Sequence, residues 1–141
     1  MMLFLIVQRC IESCSKTLST NMMGSMPAAS NDRSIQVKRN GVLVTDNQYI
    51  GGENLEIYIS NSANQYFFDT NLGDFSGSNV GCSSKRTISN GNTLTMPNSG
   101  EVTIKVGWAL GYSQVKYTSI TLNLQGSLSL FLSLLLSLSL L

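Results

Sequence analysis

The 141-residue chain contains no histidine. That absence removes Ser-His-Asp and Cys-His nucleophile pairs, histidine general bases and Cys₂His₂ zinc sites. Charge is sparse as well: charged residues make up 12% and the net charge is +1, so no electrostatic footprint for nucleic acid or an anionic surface exists. The densest basic group, Arg33, Lys38 and Arg39, reads as the solvated face of a strand rather than a phosphate site. The acids are Glu12, Asp32, Asp46, Glu53, Glu56, Asp69, Asp74 and Glu101. A two-carboxylate hydrolase needs one acid in a buried, pKa-raising pocket, and none of these stretches suggests one. The chain also lacks a P-loop, a GxGxxG, a CxxC, a heptad run and any Asn-X-Ser/Thr sequon. No cofactor or metal site is implied, and the exclusions together point away from an enzyme.

Only three cysteines are present, Cys10, Cys14 and Cys82, and an odd count is a poor disulfide framework. Few charges with abundant Ser, Asn, Thr and Gly are typical of secreted β domains, so an extracellular or cell-surface setting is expected. Two readings of Cys82 stand open: a disulfide with Cys14, or a lone free thiol.

What the chain does have is period-two alternation. In Gly100–Leu124, Val102, Ile104, Val106 and the only tryptophan, Trp108, point one way while Thr103, Lys105 and Gly107 point the other. Successive side chains of a strand face opposite sides of the sheet, so one face is buried and one is wetter, with Trp108 in the core. Ile35 and Val37 alternate before Asn40-Gly41, the dipeptide of a type I′ hairpin turn, with Val42 to Thr45 returning. Leu55, Ile57 and Ile59 alternate after Gly51-Gly52; Tyr66 to Asp69 is a short aromatic strand; Asn71 to Gly81 is a loop; Asn90-Gly91 separates Arg86–Ile88 from Thr93–Met96. Seven or eight short strands at this spacing predict an all-β chain folded as an immunoglobulin-like antiparallel sandwich over residues 31–125. Beyond Gln114 the apolar positions change parity, from Val115 and Tyr117 to Ile120, Leu122 and Leu124, which predicts a bulge or sheet crossing near Thr118–Ser119.

Residues 1–30 form a leader. Its apolar run MMLFLIV, with no basic residue before it, fits a weak signal peptide or a non-native start. Residues 126–141, GSLSLFLSLLLSLSLL, are an apolar low-complexity tail, shorter than the roughly 20 residues of a spanning helix. A simple-sequence extension, a glycolipid-anchor signal and an apolar helix of other use are the open readings, and contact with a membrane is expected only through this tail.

The order of pieces carries a resemblance: Ile35-Gln-Val-Lys-Arg-Asn-Gly, then Tyr49-Ile-Gly-Gly-Glu-Asn-Leu-Glu-Ile-Tyr-Ile-Ser, then Tyr66-Phe-Phe-Asp with a Gly/Ser loop to Cys82, then Leu94-Thr-Met-Pro-Asn-Ser-Gly-Glu-Val-Thr-Ile-Lys-Val-Gly-Trp-Ala. Over residues 33–124 it resembles the reelin-N-terminal-like (reeler) and related secreted β-sandwich domains. The family's several cysteines are reduced here to one within the domain, and its characteristic histidine is absent. The resemblance implies an extracellular, non-catalytic module of adhesion, matrix or defence, and supplies no active-site residues.

Two aromatics are candidate ligand contacts. Tyr58 stands opposite the Leu55–Ile57–Ile59 face, and Tyr112 lies in the Leu110–Ser113 turn. Exposed rings stack on sugars and anchor protein interfaces, whereas packing against a neighbouring strand or turn is the structural alternative for each. Asp69, Asn71 and Asp74 in DTNLGD offer oxygens to calcium, but Asp74 occupies the position where an EF-hand needs glycine, so turn-closing Asx residues explain them better. The expected function is a non-catalytic extracellular binding or adhesion module with a protein or glycan partner. The alternatives are a carbohydrate- or ligand-binding accessory domain of a larger protein, or a fragment without independent function.

Overall fold

The computed structural model describes residues 28–60, 66–77, 83–111 and 114–126. Its strands are β1 (Ala28–Ala29), β2 (Ile35–Arg39), β3 (Val42–Leu43), β4 (Gln48–Tyr49), β5 (Asn54–Ile59), β6 (Tyr66–Thr70), β7 (Asp74–Phe75), β8 (Arg86–Thr87), β9 (Asn92–Thr95), β10 (Val102–Gly111) and β11 (Gln114–Leu124). One sheet runs β1-β11-β10-β6-β8 with β4 also on β11, and the other runs β3-β2-β5-β9-β7. The chain is all-β among the described residues, its two sheets stacked as a sandwich. The strand count exceeds the expected seven or eight because β1, β4 and β7 are two-residue pairings that the alternation does not mark. Strand pairing also begins at Ala28, inside the segment read as leader.

Alternation decides the layers. On β10, Val102, Ile104, Val106 and Trp108 are at most 1% exposed and meet Val37, Leu55, Ile57 and Leu94 of the opposing sheet in one apolar cluster. β10 lies between β11 and β6, so its inward face is enclosed by strands on both sides. Tyr49 closes the cluster at one end, its hydroxyl donating to the Gly100 carbonyl, and burial pushes its phenol up.

The two Asn-Gly pairs serve different turns. Asn40 (φ 52) and Gly41 (φ 80) are both left-handed, as the type I′ link between β2 and β3 requires. At the second pair only Gly91 (φ 78) has positive φ, the Asn92 N–H donates to the Ser89 carbonyl, and the turn carries the chain from β8 in one sheet to β9 in the other. The segment read as a plain loop after Asn71 also holds β7, paired to β9.

The bulge expected near Thr118–Ser119 is absent. Val106 pairs with Thr118 and Lys105 with Ser119 in one unbroken ladder, and the register shifts instead between Ala109 and Gly111. Parity holds because the even face of β11 runs from core to rim. Leu122 is fully buried, whereas Lys116, opposite Trp108, reaches Asp32 at 2.9 Å. Tyr117, on the other face, lies half-buried with its backbone beside β1 and is not a core residue.

The chain crosses between sheets from β3 to β4, and Arg39 and Glu53 fasten that crossing. Nε and Nη2 of Arg39 donate to the two carboxylate oxygens of Glu53, each at 2.7 Å. Glu53 Oε1 also accepts the Ile50 N–H at 2.7 Å. Burial by itself would raise the Glu53 carboxyl, but the Arg39 and Ile50 hydrogen bonds and the Arg39 charge hold it below the ordinary value of 4.5. A lowered carboxyl contributes stability that is fully present above the unfolded value and is lost as pH falls through the folded one. Glu53→Gln is expected to cost about 2 kcal/mol at neutral pH and to flatten the decline of stability between neutral pH and pH 3, as read by urea denaturation. An unchanged acid dependence would show that the pair does not hold the crossing.

Candidate functional site

Because Leu55, Ile57 and Ile59 turn into the core, Glu56 and Tyr58 stand on the outer face of β5. The β2–β5 register sets Lys38 opposite Glu56 and Gln36 opposite Tyr58. From the β2 side, the Lys38 ammonium lies 4.8 Å from the Tyr58 ring centroid. On the β9 side the ring rests against Gly91, where an added Cβ would fall 2.7 Å from Tyr58 Cε1; with its positive φ, that position requires glycine twice over. The Tyr58 hydroxyl donates to Glu56 Oε2 at 2.6 Å. That bond raises the phenol above its ordinary value, with burial and the Glu56 charge adding to it.

Tyr58 is therefore neither a bare platform nor a core residue. It is half-buried, pinned at its edge and hydroxyl, and flanked by a cation and an acceptor. An exposed cation–π contact is worth about 0.5–1 kcal/mol, so a ligand stacking on the ring displaces Lys38 at small cost. Farther along the same face come Thr93, opposite Glu56, and Thr95, opposite Asn54, with Thr95 Oγ1 donating to Asn54 Oδ1. The face offers an apolar ring amid neutral and charged hydrogen-bonding groups.

The DTNLGD oxygens are engaged elsewhere, each with a different partner. Asp69 accepts Arg86 Nε at 2.6 Å and Nη2 at 3.1 Å, and the same guanidinium lies 4.9 Å over the Phe67 ring. Asn71 accepts the Thr103 N–H and donates to the Glu101 carbonyl, while Asp74 accepts from Ser84 Oγ and Lys85 Nζ. These contacts bind β6 to β8 and brace the turns. Among the described residues no three His, Cys, Asp or Glu side chains converge for a metal ion.

A second surface feature escaped the sequence reading. Val42 (68% exposed), Leu43 (48%) and Ile50 (49%) are large apolar side chains left in solvent, Val42 and Leu43 on edge strand β3. Val42 pairs with Arg39, whose partner Glu53 accepts the Ile50 N–H, so the three lie about one corner of the sandwich. The sequence alternation marks Val42 and Leu43 as strand, but not that β3 ends its sheet. Lys38 and Gly91 became legible as neighbours of Tyr58 only once strand register was known, whereas Glu56 shares its face two residues away on β5. The candidates Cys14, Cys82 and Tyr112 lie outside the described residues. No protein-family model, curated protein or solved structure matches this chain.

The Tyr58–Glu56 bond has a spectroscopic consequence. Followed by NMR of the tyrosine rings, Tyr58 should titrate above its ordinary 10.0, and Glu56→Gln should bring it down while Tyr49 stays raised. A Tyr58 titration indifferent to Glu56→Gln would remove the bond from the site.

Proposed function

We propose that this chain is a non-catalytic extracellular binding or adhesion module of the reeler-like kind, and that the outer face around Tyr58 is its ligand-contact surface. The observation that carries the reading is the half-exposed Tyr58 ring set among Lys38, Glu56 and Gln36 on a polar sheet face. An aromatic face with hydrogen-bonding groups at its margin matches a sugar ring, which presents an apolar face and a hydroxyl edge. A carbohydrate is therefore the favoured ligand class. General acid catalysis calls for a carboxyl raised toward neutrality, and every described carboxyl with a resolved shift, Asp32, Glu53 and Asp74, is moved downward. That supports binding over hydrolysis.

A protein partner at the β3 edge is the second reading, favoured by exposed Val42 and Leu43. Extended partners add to free sheet edges through main-chain hydrogen bonds, and apolar side chains there supply the area. The full chain on a glycan array and on intact cells tests both. Saturable glycan binding weakened at least about tenfold by Tyr58→Ala, with unchanged circular dichroism, is the result expected. Cell binding lost in Val42→Ser but kept in Tyr58→Ala would transfer the function to the edge. Binding indifferent to both variants would contradict both assignments.

A further inference from the structure

The chain carries two Asn-Gly pairs, the sequence most open to intramolecular deamidation because glycine places no side chain in the way of its own amide nitrogen. The reaction needs three further things: an asparagine side chain free to swing, a following amide nitrogen free of its hydrogen bond, and a backbone able to leave its resting turn. The two pairs differ in all three.

At the second pair, Asn90 Oδ1 accepts the Ile59 N–H at 2.9 Å. The nucleophile is occupied too, since the Gly91 N–H donates to the Ile57 carbonyl at 2.8 Å. The Tyr58 ring rests on Gly91 and blocks the turn from rearranging. At the first pair, Asn40 is exposed and its side chain forms no hydrogen bond among the described residues. The ladder closes at Arg39 and Val42, leaving the Gly41 N–H outside it. Nothing lies within 4 Å of where a Gly41 Cβ would stand. The turn caps a two-residue strand at the edge of its sheet, a place where local opening is cheap.

We propose that Asn40 is a spontaneous modification site of the folded protein and that Asn90 is protected by the fold. When the tip opens, the deprotonated Gly41 amide nitrogen attacks Asn40 Cγ, forming the N–Cγ bond. The Cγ–N bond of the side-chain amide breaks and ammonia leaves, giving a five-membered succinimide. Water then adds at either ring carbonyl, yielding aspartate or isoaspartate; the net change is one water in and one ammonia out. The product adds a negative charge next to Arg39 and, as isoaspartate, routes the main chain through the side-chain methylene. The left-handed geometry of a type I′ turn no longer fits that longer main chain, so the β2–β3 hairpin loosens. The site stands independently of the ligand assigned to the Tyr58 face.

The test is peptide mass mapping of the full folded chain held at mildly alkaline pH, beside the same chain unfolded in urea. In the folded chain Asn40 should convert at least about tenfold faster than Asn90, the gap set by the cost of opening each turn. In urea the two should convert at similar rates, and the Asn40 product should accept methyl groups from an isoaspartyl methyltransferase. Asn90 converting as fast as Asn40 in the folded chain would overturn the proposal. So would an Asn40 that stays intact while the urea sample converts.

Discussion

One apolar layer, shared by both sheets, holds the rest of the structure in place. Neither sheet can bury its alternating face alone, so the inward residues of β10 and those of β2, β5 and β9 leave water by packing in one cluster. Fully burying a large apolar side chain is worth about 1.5–3 kcal/mol. The four on β10 therefore outweigh any single half-exposed ion pair, worth about 1 kcal/mol or less unless well buried and bidentate. Arg39–Glu53 and Arg86–Asp69 fix where the chain crosses and turns; the core decides that it folds. Each crossing from β6 through β9 changes sheet, which threads the two layers together and makes their folding interdependent.

Among the described residues that division leaves the outer face of the five-stranded sheet free of packing duty, and Tyr58 is held there without being consumed by the core. Glu56 and Gly91 fix its position. A ring pinned in place loses little freedom when a ligand stacks on it, so more of the contact appears as affinity. Gly91 also links the two surface properties, since the contact that seats Tyr58 is one of those that shield Asn90 from reaction.

Alternation made the fold class and the inward residues legible: Trp108, Val102, Ile104, Val106, Leu55, Ile57 and Ile59 all lie where period two places them. The Asn40-Gly41 turn was legible for the same local reason, because both of its residues need positive φ. Long-range facts were not. Parity alone misread β11, since an apolar residue such as Tyr117 sits on an outer face beside β1, and a lysine such as Lys116 is tolerated on the inner face at the rim with Asp32 as partner. The second Asn-Gly resembled the first in sequence, yet its geometry follows from a sheet crossing. Tyr58 was singled out from its outward position, but the residues that qualify it come from β2 and from the turn before β9, whose register no local pattern encodes.

Trp108 reports on the shared layer directly. It lies on the six-stranded sheet against residues of the other, so urea unfolding of the full chain followed by its fluorescence and by far-ultraviolet circular dichroism measures packing and strand content together. The account predicts a blue-shifted native emission and one transition, with coincident midpoints for the two probes. Solvent-exposed emission in the native chain, or strand signal surviving after Trp108 is released, would contradict a single core holding both sheets.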